Sequence, residues 1–133
     1  MTETIKYKVQ GLNDLSKQLN NFVNSIGFDN ADVPLRIALI HSEVSEAFEA
    51  YRKDKFANIP DYIGDVVQGD KSDEWFKITF QRYMKDTFED EIADSIIRLL
   101  DLCGKMNIDI ETHILAKMDY NATLGFKYGC KKF

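Results

Sequence analysis

The stretch Glu91 to Cys103, EIADSIIRLLDLC, narrows the possible folds more than any other part of this chain. On a helix turning by about 100° per residue, Ile92, Ile96, Ile97, Leu99, Leu100, Leu102 and Cys103 cover most of the circumference. They leave a narrow polar strip of Glu91, Asp94, Arg98 and Asp101. A helix apolar on so many sides belongs inside a bundle or at a subunit interface, so the acids on its strip need partners there. The helix is expected from Phe88 to Cys103, closed by Gly104 as its C-terminal cap.

The rest of the chain reads as helices with one interruption. Leu12, Leu15, Leu19, Phe22, Val23 and Ile26 recur at helical spacing, which predicts a helix from Leu12 to Ile26 stopped by Gly27. Asp32 is an N-cap and Pro34 sits near the first turn, opening a second helix that runs to about Asp54. Its core face is expected at Ile37, Ile40, Val44, Ala47, Phe48 and Tyr51. From Phe56 to Asp86 the pattern breaks: Pro60, Gly64 and Gly69 signal loop, followed by the aromatic group Trp75, Phe76, Phe80 and Tyr83. A loop and then a short helix are expected, with KITF as an alternative strand, and the aromatics as added core first, with a base pocket or a lid as the alternatives. Asp109 caps a further helix carrying Ile110, Ile114, Leu115 and Met118 and ending near Gly125. The expected architecture is all-α, a four-to-five-helix bundle with an inserted segment between its two acidic motifs.

Those motifs are Glu43-x-x-Glu46 and Glu91-x-x-Asp94. Residues three apart share one side of a helix, so each pair offers its oxygens in one direction. Glu43 and Glu46 fall on a strip with Leu39 and Ala50, at the flank of the core face, whereas Glu49 falls among Ser42, Ser45 and Arg52 on the solvated face. Two such helices side by side suit a hard divalent cation. Oxygen-only ligation favours magnesium, with manganese as a substitute, over zinc or iron. A di-iron carboxylate bundle calls for Glu-x-x-His, and neither His41 nor His113 follows a glutamate at that distance. The competing reading needs no metal: each pair is solvated surface, and Arg98 neutralises Glu91 or Asp94.

The chain has 133 residues, enough for one domain with a real core, and its 44% hydrophobic and 29% charged content is that of a globular protein. No apolar run approaches the roughly 20 residues of a membrane span, and the start lacks the pattern of a signal peptide, so a cytoplasmic protein is expected. A net charge of −5 argues against broad binding to a nucleic acid polymer, though not against nucleotides arriving with magnesium. Cys103 and Cys130 lack metal-ligand spacing and read as packing residues. Near the C-terminus Lys117, Tyr120 and Asn121 share a helix face, followed by Lys127, Lys131 and Lys132. A cation, a phenol and a carboxamide together suit phosphate and sugar or base contacts. The same composition also describes a solvated helix end with a lysine-rich tail.

RIALIHSEVSEAFEAYRKDK, FEDEIADSIIRLLDLCG and IDIETHILAKMDYNATLGFKYGCKKF, in that order, resemble the MazG-type all-α nucleoside triphosphate pyrophosphohydrolases. The resemblance covers about Leu35 to Asp54 and Thr87 to Phe133 and rests on E-x-x-E, E-x-x-D and K-x-x-Y-N together. It implies a helical bundle forming a homodimer or homotetramer that hydrolyses a nucleoside triphosphate with magnesium. By that analogy Glu43, Glu46, Glu91 and Asp94 hold the metal, and Lys117, Tyr120 and Asn121 contact the nucleotide. Leu124 stands where such tails commonly carry an arginine, and Tyr128 where a histidine often precedes the glycine, leaving Lys127 and Lys131 as the remaining phosphate contacts. The expected reaction is attack of water on the α-phosphorus, giving a nucleoside monophosphate and pyrophosphate. The alternative keeps the fold without turnover, as a nucleotide-binding or oligomerisation module.

Overall fold

A computed structural model describes residues 9–27 and 32–124. These form six helices and no strand: α1 (Leu12–Ser25), α2 (Val33–Arg52), α3 (Ile59–Gln68), α4 (Asp73–Tyr83), α5 (Phe88–Lys105) and α6 (Ile110–Thr123). The arrangement is all-α, as expected. Helix α5 is its spine, with α2 along one side and α1 along another, while α3 and α4 pair as a hairpin and α6 rests on α1.

The helix starts follow from their caps. The Asp32 carboxylate accepts from the Leu35 N–H, Thr87 from Asp90 and Asp109 from Thr112, each supplying an acceptor to an N–H that the first turn leaves orphaned. Helix α1 begins after Gly11, which has no side chain for this task. Glu111 of α6 serves instead, its Oε1 accepting from the Asn13 N–H at 2.9 Å, and the Asn13 side-chain oxygen accepts from the Glu111 N–H in return. This exchange fixes α6 against the start of α1. Gly27 ends α1 with φ of +84°, a left-handed conformation that glycine adopts without strain.

Several expectations need correction. The segment between the acidic motifs is two helices rather than a loop and one helix. Pro60 lies in the first turn of α3, where its missing N–H costs nothing, Gly64 lies inside that helix, and KITF is helical within α4. Gly104 is no cap, because α5 continues through it to Lys105. It is instead a point of close approach between α5 and α1: a Cβ at Gly104 would meet the Ser16 backbone oxygen of α1 at 2.5 Å. The Ser16 hydroxyl also donates to the Leu100 carbonyl oxygen at 2.5 Å. Gly125, where α6 was expected to end, lies outside the described residues.

The core face of α2 is rotated from its expected position. Arg36, Glu43, Ala47 and Ala50 point inward, and the small alanines let α5 come close. Of the expected face only Ala47 is buried, whereas Ile37, Val44, Tyr51 and Phe48 are exposed, Phe48 by 62%. Helix α5 likewise leaves Ile92, Ile96, Ile97 and Leu99 exposed. Among the described residues, the buried apolar ones are Ala47, Ala50, Val66, Leu100 and Cys103. The aromatic insert divides: the Trp75 indole N–H donates to the Asp65 carbonyl oxygen at 2.8 Å, while Phe76 remains exposed. Ile114, Leu115 and Met118 of α6 are exposed too.

Candidate metal centre between α2 and α5

Helix α2 contributes Glu43 from its buried stripe, and α5 contributes Glu91 from its first turn and Asp94 one turn later. Each of the three offers a carboxylate oxygen within 4.8 Å of the others. Glu43 and Glu91 are only 9% and 7% exposed, so these are acids packed between helices rather than solvated surface charges. Asp94 is more open. The backbone beneath Glu91 is held by the Ser95 hydroxyl, which donates to the Glu91 carbonyl oxygen at 2.9 Å.

Glu91 and Asp94 are short of compensating charge. Burial, and then the charges of Glu46, Asp94, Asp90 and Glu43, push the Glu91 carboxyl up to about 7. Burial and the acids Asp90 and Glu43 also raise Asp94, against an opposing pull from Arg98. Converging carboxylates that resist ionisation are stabilised by a cation, and this donor set contains oxygen alone. Glu43, Glu91 and Asp94 therefore fit a hard divalent ion such as magnesium or manganese.

The arginine expected to neutralise Glu91 or Asp94 does neither by a direct bond. Arg98 reaches across to α2, where its Nε donates to Glu43 Oε1 at 2.6 Å. Nearby, Arg36 of α2 forms a buried ion pair with Asp101 of α5. These four residues, with Val23, Leu39, Asp94 and Ile97, line a cleft of about 510 Å³ between α1, α2 and α5. A second cleft, of about 380 Å³, is also lined by Asp94, together with Phe76, Lys77, Phe80, Gln81, Lys85, Asp86 and Asp90.

Glu46 does not join the close trio. It lies exposed one turn beyond Glu43, yet it is the strongest of the neighbouring charges acting on Glu91. A further acidic group, Asp86, Asp90 and Glu91, was missed from the sequence. Its signal was the run from Asp86 to Glu91, in which Thr87 and Asp90 have capping-box spacing. Asp90 accepts from the Asp86 N–H at 2.9 Å and so belongs to the turn entering α5.

The expected nucleotide contacts lie apart from the acids. Lys117 and Tyr120 are exposed on α6, with Lys117 Nζ 4.9 Å from the centre of the Tyr120 ring, and Asn121 is half-buried. None of the three lines either cleft that contains Asp94. Lys127 and Lys131 lie outside the described residues. Comparisons with protein-family models, curated proteins and solved structures found no match to this chain.

Proposed function

We propose that this chain is a magnesium-dependent nucleoside triphosphate pyrophosphohydrolase of the MazG-like kind, converting a nucleoside triphosphate to the monophosphate and pyrophosphate. The observation that carries this reading is the convergence of Glu43, Glu91 and Asp94 from two helices, with Glu43 and Glu91 buried and burial raising the carboxyls of Glu91 and Asp94. In this reading those three hold magnesium. The bound ion offsets the charge of the triphosphate and lowers the pKa of water. Glu46, outside the trio, orients the attacking water and accepts its proton. Attack at the α-phosphorus breaks the bond to the oxygen bridging the α and β phosphates, and pyrophosphate departs.

Lys117, Tyr120 and Asn121, with Lys127 and Lys131, are the proposed contacts to the nucleotide. Because α6 lines neither cleft beside Asp94, this reading brings those residues from a second copy of the chain, in a homodimer or homotetramer. The uncovered Val44, Phe48 and Tyr51 of α2 and Ile92, Ile96 and Leu99 of α5 support such an assembly. Among the described residues no helix is long and apolar enough to cross a membrane, which fits the proposed setting in the cytoplasm.

The test is pyrophosphate release from a panel of ribo- and deoxynucleoside triphosphates, with and without magnesium. Release is expected to require magnesium and to fall by at least about 100-fold in Asp94→Asn with the fold retained. Near-normal rates in Asp94→Asn overturn the site. A second reading, a nucleotide-binding or oligomerisation module without turnover, is favoured by the same exposed apolar faces. It predicts assembly, and nucleotide binding without pyrophosphate release.

A further inference from the structure

Arg98 stands one turn after Asp94 on α5 and is bonded across the helix pair to Glu43. Its guanidinium therefore occupies a carboxylate that a cation held by Glu43, Glu91 and Asp94 would also use. The two partners are unequally confined: the Arg98 side chain is 40% exposed and that of Glu43 only 11%. When the pair opens, the arginine is the one with room to move. The space beside it is the 510 Å³ cleft, where the other guanidinium, that of Arg36, is already engaged by Asp101.

We propose that Arg98 is a phosphate-binding residue of this site, held on Glu43 when the site is empty and transferred to the phosphate oxygens of a nucleoside triphosphate when a divalent cation takes Glu43. The inference rests on the metal and triphosphate reading above and adds the residue that couples the two. Each half of the exchange is favourable by charge. Glu43 trades a monocation for a dication, and Arg98 trades one carboxylate for a polyanion whose oxygens match its planar fork of donors. No covalent change is involved. An arginine present only to hold α2 against α5 would keep its partner throughout.

The experiment uses the full chain and two binding measurements besides turnover. In the first, Mn²⁺ is titrated into nucleotide-free protein and followed by electron paramagnetic resonance. Arg98→Gln is expected to bind Mn²⁺ roughly fivefold more tightly than wild type, since a competing cation is gone. In the second, a nucleoside triphosphate analogue with a methylene bridge between the α and β phosphorus atoms is titrated in the presence of magnesium. Arg98→Gln is expected to weaken its binding roughly 10- to 100-fold, and Arg98→Lys by less, because lysine keeps the charge and loses the fork. Circular dichroism confirms that both variants fold. Unchanged or weaker Mn²⁺ binding together with unchanged analogue affinity overturns the assignment, as does a wild type that binds no Mn²⁺. If both shifts appear and wild type releases no pyrophosphate, the Arg98 assignment stands and the hydrolase reading alone fails.

Discussion

Asp101 of α5 clasps Arg36 of α2 on one carboxylate oxygen and accepts from the Asn20 side-chain amide of α1 on the other, at 3.0 Å. One buried aspartate thus ties together the three helices that line the larger cleft. Removing an acid from a buried pair leaves the arginine's charge poorly compensated, which costs far more than losing a surface pair. Asp101→Ala is expected to destabilise the protein by about 3–5 kcal/mol in urea unfolding. Asn20→Ala loses one hydrogen bond and is expected to cost about 1 kcal/mol. Equal effects would show that the clasp does not act through charge.

Gly104 supports a second prediction, of unusual sign. In most helix interiors Gly→Ala stabilises by up to about 1 kcal/mol. Here a methyl group would be driven against the Ser16 backbone oxygen, and backbone cannot rotate aside as a side chain can. Gly104→Ala is expected to destabilise by about 1–3 kcal/mol, and Gly104→Val by more. A rise in melting temperature for the alanine variant would contradict the close α1–α5 contact.

Glu91 is expected to make the metal-free protein sensitive to pH. Its carboxyl is raised from 4.5 to about 7 in the folded state, so between these values the folded chain holds a proton that the unfolded chain has released. Stability therefore falls as pH rises across that window, by about 1–3 kcal/mol, and levels off above it. Glu91→Gln carries no ionisable group there and is expected to flatten the decline. Magnesium, favouring the ionised cluster, is expected to raise the melting temperature most above pH 7. Thermal melts of both proteins from pH 4.5 to 8, with and without magnesium, check all three statements.

The exposed apolar faces bear on assembly. Phe48→Glu and Ile96→Glu each place a charge where a second copy is proposed to pack. Sedimentation is expected to show wild type as a dimer or larger and each variant shifted toward monomer, with magnesium-dependent pyrophosphate release falling in parallel. A monomeric wild type with full turnover would remove the need for a second copy.

The sequence made the helices legible wherever a local rule determined them. Asp32 and Asp109 have capping chemistry that depends on residues only a few positions away, and the starts of α2 and α6 followed, while apolar periodicity placed α1 from Leu12. Helix α3 was hidden because Pro60 and Gly64 are read as breakers, whereas proline in a first turn is neutral and Gly64 faces open space. The acids of α2 and α5 were found from their spacing, but their partners were not. That Arg98 bonds Glu43 rather than its own helical neighbours depends on how two helices are set against each other. The inward face of α2 was misassigned for a related reason. Hydrophobic periodicity finds the most apolar stripe of a helix without saying which surface, internal or external, will cover it.

The α3–α4 hairpin is joined to the rest of the chain at a narrow base. The Asn58 N–H donates to the Tyr83 carbonyl oxygen at 3.1 Å, and the Phe88 N–H donates to the Lys55 carbonyl oxygen at 2.8 Å, so the chain leaves and returns at nearly one point. Within the hairpin, Asp65 accepts from both the Trp75 indole, through its carbonyl oxygen, and the Tyr83 hydroxyl, through its carboxylate. Such a unit is expected to act as a cassette: exchange of its wall of Phe76, Lys77, Phe80 and Gln81 for another sequence should leave the helices that carry Glu43, Glu91 and Asp94 in register. The part of the molecule that walls the second cleft is thereby separated from the part where a shift of one residue would scatter the acids.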